Sequence, residues 1–79
     1  MDIEDGAAVV ELDARGLNCP LPVLKARKLF KTVPAGGYLR VLATDPGAPK
    51  DFEHFCATTG ATLIGVDMAA DHTVITLKR

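Results

Sequence analysis

The residue with the clearest chemical potential in this sequence is Cys19, in the segment Asn-Cys-Pro-Leu-Pro at positions 18–22. A short apolar run precedes this segment, and residues with helical spacing follow it. A cysteine at the start of a helix meets backbone N–H groups without intrahelical partners and the positive end of the helix dipole. Both favour the thiolate, which is the nucleophilic form. We therefore expect sulfur chemistry at Cys19, and a buried sulfur or a thiol protonated well above neutrality would contradict this expectation.

Four kinds of chemistry are open to this thiol. A dithiol redox centre needs a second cysteine, usually three residues on, where this chain has Pro22. A metal site is not expected, because the weak His54-x-Cys56 pair is the nearest approach to zinc-site spacing. A hydrolase needs a base, and neither histidine lies near Cys19 in sequence. Sulfur carriage needs only an exposed, reactive thiol without a neighbouring thiol. The simplest structural alternative, an N-cap, is a poor use of cysteine.

The composition is that of one small globular domain. The chain has 79 residues, 48% hydrophobic and 24% charged, and a net charge of −1, which argues against bulk affinity for nucleic acid. Two cysteines and an N-terminus without the features of a secretory leader predict a reducing, cytoplasmic location. Residues 1–7 are predicted to be a flexible tail. We expect no membrane contact and no resident cofactor.

The apolar periodicity predicts four strands and two helices in the order β-α-β-α-β-β. The β-α-β unit implies a parallel pair of strands, and the last two strands form an antiparallel hairpin. The predicted fold is an α/β (α+β) two-layer sandwich with a mixed four-stranded sheet and both helices on one face. The predicted strands span residues 8–13, 38–44, 61–68 and 72–78, and the predicted helices span 20–33 and 49–59.

The first predicted helix has an outer face that the core does not need. This face carries four positive charges and no negative one, together with two leucines one turn apart. Such a face suits an acidic docking partner, and it also suits a solvated helix whose cations favour the C-terminal end of the dipole. The candidate partner-binding residues are Leu21, Leu24, Lys25, Arg27, Lys28 and Lys31.

The residues around Cys19 have candidate supporting roles. Arg15 is a candidate to stabilise the sulfur anion or to meet a partner carboxylate, or it is an ordinary turn arginine. Asp13 is expected to hold the turn by accepting backbone N–H groups, and Gly16 to supply a backbone angle that other residues resist. Pro20 and Pro22 fit the first helical turn and stiffen it. If Cys19 is the N-cap, the N–H of residue 21 is the nearest backbone donor to its sulfur.

The residues also resemble those of a known family. The segment at 12–22, LDARGLNCPLP, is similar to the signature of the TusA-like (SirA-like) sulfur carrier proteins, and the similarity continues at 45–47, 51, 55–56 and 59–60. It covers residues 8–79 as one domain. A departure is Ala61, where members often have histidine after the glycine.

The resemblance implies a sheet of strand order 1-2-4-3 and a persulfide on Cys19. It implies a cysteine desulfurase or rhodanese-like protein as sulfur donor and a downstream acceptor protein, in tRNA thiolation, molybdenum cofactor synthesis or sulfur metabolism. Nucleic acid would be reached only indirectly. The protein would be a sulfurtransferase-type carrier rather than a stand-alone enzyme.

Two alternative functions remain open. One is a regulatory module that uses the basic helix face to bind RNA or protein, and the other is a redox sensor that forms sulfenic acid. Cys56 is expected to be a small buried residue.

Overall fold

A computed structural model of the chain describes residues 8–79, and the predicted tail at 1–7 lies outside the described residues. The predicted order of strands and helices is confirmed. The elements are β1 (Val9–Ala14), α1 (Leu21–Phe30), β2 (Tyr38–Ala43), α2 (Ala48–Thr59), β3 (Thr62–Met68) and β4 (Thr73–Lys78).

The four strands form one mixed sheet in the order β1-β2-β4-β3. β1 and β2 are parallel, whereas β4 is antiparallel to both β2 and β3. α1 packs on β1 and β2, α2 packs on β3 and β4, and the two helices contact each other. Both helices therefore lie on the same side of the sheet, and the fold class, the strand order and the two-layer arrangement agree with the sequence predictions.

The core lies between the helices and one face of the sheet. Alternate residues of β2 and β4 point into it, because successive side chains of a strand face opposite sides. Phe52 of α2 is completely buried, and its burial contributes about 1.5–3 kcal/mol to folding. The other large side chains with almost no exposed surface include Leu39, Val41, Ile75, Leu77 and Val33.

The first helix is shorter than predicted, ending at Phe30 rather than at residue 33. Beyond Phe30 the backbone tightens, and Val33 N–H donates to the Phe30 carbonyl. The Arg79 guanidinium donates to the carbonyl oxygens of Phe30, Lys31 and Val33 at 3.1, 3.2 and 2.7 Å. It also lies 5.6 Å from the Phe30 ring centroid. A residue at the end of the chain thus stabilises the end of α1, which a local pattern does not reveal.

The second helix ends where its sequence predicts. Gly60 has a φ of 79°, in the left-handed region that favours glycine, and its N–H donates to the Cys56 carbonyl at 3.0 Å. No helix within residues 8–79 combines the length and apolar character that crossing a bilayer requires.

Candidate functional site

The loop between β1 and α1 is held by a compact polar cluster. Asp13 accepts a hydrogen bond from the Arg15 backbone N–H at 3.1 Å and two more from the Arg15 guanidinium at 2.9 Å each. These bonds lower the pKa of Asp13 to about 2. Gly16, with a φ of 81°, donates its N–H to Thr44 Oγ1 at 2.9 Å and so ties the loop to the end of β2. The loop that carries Cys19 is therefore fixed at its base.

The Arg15 side chain forms an ion pair with Asp13. Its guanidinium is bidentate on Asp13, which raises the pKa of Arg15, and it is not among the groups that shift the pKa of Cys19. Of the two roles considered for Arg15, the structure favours the turn arginine over a stabiliser of the sulfur anion.

Cys19 is exposed and lies just outside the helix. The N-cap of α1 is Pro20, and the Cys19–Pro20 peptide bond is cis. Leu21 N–H donates to the Asn18 carbonyl at 2.9 Å, so it is not directed at the sulfur. The case in which Cys19 is the N-cap and Leu21 N–H donates to its sulfur therefore does not occur, because a backbone turn takes that N–H. Pro22, in the first turn, is buried.

Two carboxylates lie beside the sulfur. Cys19 Sγ, one oxygen of Asp45 and one oxygen of Asp51 all lie within 4.8 Å of one another. Both acids are partly buried, Asp45 in the loop after β2 and Asp51 in the first turn of α2. Residues far apart in sequence thus form one S/O cluster.

This cluster reverses the predicted acidity of the thiol. A hydrogen bond to Asp51 raises the pKa of Cys19, and partial desolvation and the negative charges of Asp51 and Asp45 raise it further. A helix N-terminus is equivalent to about half a positive charge, which two nearby carboxylates outweigh. The pKa shift is therefore opposite in direction to the one expected from the helix dipole, whereas the predicted exposure of the sulfur is confirmed.

The same three residues offer one thiol sulfur and two carboxylate oxygens to a cation. Exposed acidic groups commonly meet without a bound ion, and the described residues add no buried, unpartnered ligand to the trio. Nothing in the described part of the chain therefore marks the trio as a metal site.

A groove of about 320 Å³ runs from Cys19 between α1 and α2. Arg27 lies over the Phe55 ring on its wall, 5.7 Å from the ring centroid. Sequence analysis missed His54 here, although its spacing from Asp51 is one helical turn and would have suggested a shared face. The lining residues are Cys19, Pro20, Val23, Arg27, Asp51, His54, Phe55 and Thr58.

A second groove, of about 840 Å³, follows the outer face of α1. It contains all six residues singled out as partner-binding, and it has no acidic residue in its lining. Leu21 and Leu24 are 45% and 49% exposed there. Arg27 lines both grooves, which therefore adjoin along α1. The lining residues are Leu12, Leu21, Leu24, Lys25, Arg27, Lys28, Leu29 and Lys31.

The fold has a counterpart among solved structures. The crystal structure of a SirA-like protein from Desulfitobacterium hafniense superposes with a TM-score of 0.74 at 25% identity, covering 86% of this chain and 93% of that one. The fold is thus that of a SirA-like domain.

The sequence comparisons identify the family. The family described as Sulfurtransferase TusA matches residues 10–79. The sulfur carrier protein TusA of Allochromatium vinosum is 54% identical over 54 residues, which are 68% of this chain and 71% of the relative. A putative sulfur carrier protein of Neisseria meningitidis is 55% identical over 53 residues, 67% of this chain and 72% of the relative. The chain belongs to the TusA family of sulfur carriers.

Proposed function

We propose that this protein carries sulfane sulfur as a persulfide on Cys19 and passes it from a donor to an acceptor protein. The observation that carries the proposal is the contrast between the two cysteines. Cys19 is exposed in the loop that resembles the family signature, whereas Cys56 is buried and only 8% exposed. We further propose that residues 8–79 form a single domain and that it works in the cytoplasm, where thiols stay reduced.

The transfer is balanced without an external oxidant. The Cys19 sulfur attacks the terminal sulfur of a persulfide on a cysteine desulfurase or rhodanese-like donor. The new sulfur–sulfur bond forms on Cys19, the donor's sulfur–sulfur bond breaks, and the donor thiol leaves. The thiol proton of Cys19 ends on the donor thiol. The same exchange in the opposite direction, with an acceptor thiol as nucleophile, unloads the carrier.

The groove on the outer face of α1 is the proposed docking surface for the donor. It combines two exposed leucines with four cations, beside the loop that bears the sulfur. An acidic rim around an apolar centre on the donor would complement it in charge and burial. The acceptor would use the same surface in turn, since both partners must reach one sulfur atom.

The experiment is loading by a purified cysteine desulfurase with cysteine, followed by intact-mass spectrometry under non-reducing conditions. We expect the wild type and Cys56→Ser to gain the mass of one sulfur atom and Cys19→Ser to gain none. Cys56→Ser is the matched control, because it removes the other thiol of the chain. Loading that persists in Cys19→Ser and disappears in Cys56→Ser would overturn the proposal.

The four cations of the α1 groove also support a second candidate, an interaction module that binds RNA or protein without sulfur transfer. The two candidates differ in their dependence on the thiol. Salt-dependent RNA binding that survives Cys19→Ser, in a protein that takes up no sulfur, would favour the module. Sulfur uptake at Cys19 would favour the carrier, for which nucleic acid is reached only through the partners.

A further inference from the structure

The Cys19 sulfur lies against acids rather than bases or cations. Asp51 and Asp45 each place one carboxylate oxygen within 4.8 Å of the sulfur. The groove adds His54 from α2 and Arg27 from α1. Arg27 is held over the Phe55 ring. The neighbouring carboxylates raise the pKa of Cys19, and because the thiolate is the nucleophile, the thiol must give up its proton before or while it attacks a persulfide.

Asp51 is better placed than its neighbours to take that proton. Asp51 lines the groove together with Cys19, whereas Asp45 is not among the residues that line it. Asp51 is also fixed on a helix, in the first turn of α2, whereas Asp45 lies in a loop. It is part of the groove that a partner's sulfur would enter.

We propose, resting on the sulfur-carrier function above, that Asp51 is a catalytic residue that accepts the Cys19 proton during loading and delivers it to the departing donor thiolate. The sulfur–sulfur bond to Cys19 forms as the donor's breaks, while the proton moves from Cys19 to Asp51 and then to the donor sulfur. Asp51 ends as the carboxylate it was at the start. No electrons enter or leave, so the step needs no further reactant.

The same carboxylates have a consequence for the loaded state. A persulfide anion at Cys19 would sit beside two negative charges, which disfavour it relative to the neutral persulfide or the free carrier. Asp51 and Asp45 thus favour handing the sulfur on over holding it. A carrier benefits from this bias, because a sulfur held too tightly is not delivered.

Two rates measured on one set of variants test the role of Asp51. The first is alkylation of Cys19 by iodoacetamide as a function of pH, which reports the thiolate alone. The second is single-turnover sulfur loading from a desulfurase that already carries its persulfide, measured at pH 6 and pH 8. General base catalysis is worth about 100-fold or more. We expect Asp51→Asn to alkylate faster than wild type at neutral pH and to load about 100-fold more slowly at pH 6.

The control variants distinguish the loss of a proton acceptor from the loss of a negative charge. Asp45→Asn removes a neighbouring charge but keeps the acceptor, so it should alkylate faster and load at least as fast as wild type. Asp51→Glu should restore part of the loading rate, because it restores a carboxylate. Glu53→Gln, at an exposed position of the same helix, should match wild type in both rates. Circular dichroism of each variant checks that the fold is intact.

Different results would refute different parts of the proposal. An Asp51→Asn variant that alkylates and loads faster than wild type would show that Asp51 acts only by its charge, and unchanged loading would equally refute the proton transfer. A loss in Asp45→Asn equal to that in Asp51→Asn would remove the assignment to Asp51. A wild type that alkylates at Cys19 but never takes up sulfur would instead overturn the carrier function itself.

Discussion

Reversing charge on the outer face of α1 tests the proposed docking surface most sharply. The double variant Lys28→Glu/Lys31→Glu changes the groove from four positive charges to two positive and two negative. Each reversal removes two units of charge, so the net charge of the chain falls from −1 to −5. Electrostatic steering raises association rates by about 10- to 1000-fold. We expect the variant to load from the desulfurase about 10- to 100-fold more slowly at low salt, through a lower association rate.

The salt dependence follows from screening. The Debye length is about 10 Å at 0.1 M salt and about 3 Å at 1 M, so the steering field reaches the partner only in the more dilute buffer. The difference between wild type and variant should therefore shrink steeply as salt is raised. The assay is stopped-flow or quenched-flow loading under single-turnover conditions, at several donor concentrations and salt concentrations.

The matched control is Arg40→Glu/Lys78→Glu, which brings the chain to the same net charge. Both residues alternate with core residues of β2 and β4 and so lie on the sheet face opposite the helices. We expect this variant to load within about twofold of wild type, since steering depends on where the charge lies. Equal loading by both double variants at low salt, or equal losses in both, would refute a docking role for the α1 groove. Iodoacetamide alkylation of Cys19 should be the same in all three proteins.

Three further predictions concern the frame around the site. Arg15→Ala should raise the pKa of Asp13 from about 2 part of the way towards its ordinary value of 3.8, because the backbone N–H of residue 15 still donates to the carboxylate; NMR titration measures the change. Because that pKa is lowered in the folded state, the stability it adds is present above pH 4 and is lost as the pH falls through about 2, so the stability gap between wild type and Arg15→Ala should close over that range. Phe52→Ala should lower the unfolding free energy by about 3–5 kcal/mol in urea. Arg79→Ala should lower it by about 1–2 kcal/mol, because three carbonyls of the α1 end lose a donor.

A specific result would refute each of these three predictions. An unchanged Asp13 titration in Arg15→Ala would mean that the ion pair does not form in solution. A loss below about 1 kcal/mol in Phe52→Ala would contradict its place at the centre of the core. For Arg79→Ala, the most sensitive measurement is amide hydrogen exchange at the end of α1. If the Val33 amide exchanged as slowly in this variant as in wild type, Arg79 would not stabilise the end of the helix. Arg79→Lys is the matched control, since it keeps the charge and loses the geometry of the guanidinium.

Local sequence patterns were sufficient for the order of the strands and helices along the chain, the mixed sheet and the burial of Cys56, whereas the strand order within the sheet was implied by the family resemblance. Apolar periodicity and turn residues such as Gly60 act over a few positions, and the structure follows them closely. The end of α1 was misjudged because Arg79, from the last position of the chain, fixes it. Such contacts arise only after folding and leave no mark on the spacing of nearby residues.

The acidity of Cys19 could not be predicted for the same reason. The local signal, a thiol before a helix, indicates a thiolate. The fold then brings Asp45 and Asp51 from the segment around the start of α2 to within 4.8 Å of the sulfur, and their charges outweigh the dipole. Asp51 falls within the predicted second helix, but the spacing of residues along the chain does not place it beside Cys19.

The most direct test of the central claim is peptide-level mass spectrometry of the wild-type protein after incubation with a desulfurase and cysteine, with persulfides alkylated before digestion. The account predicts one added sulfur on the peptide that contains Cys19 and none on the peptide that contains Cys56. Added sulfur on the Cys56 peptide alone, or on neither peptide while the desulfurase itself is loaded, would contradict it.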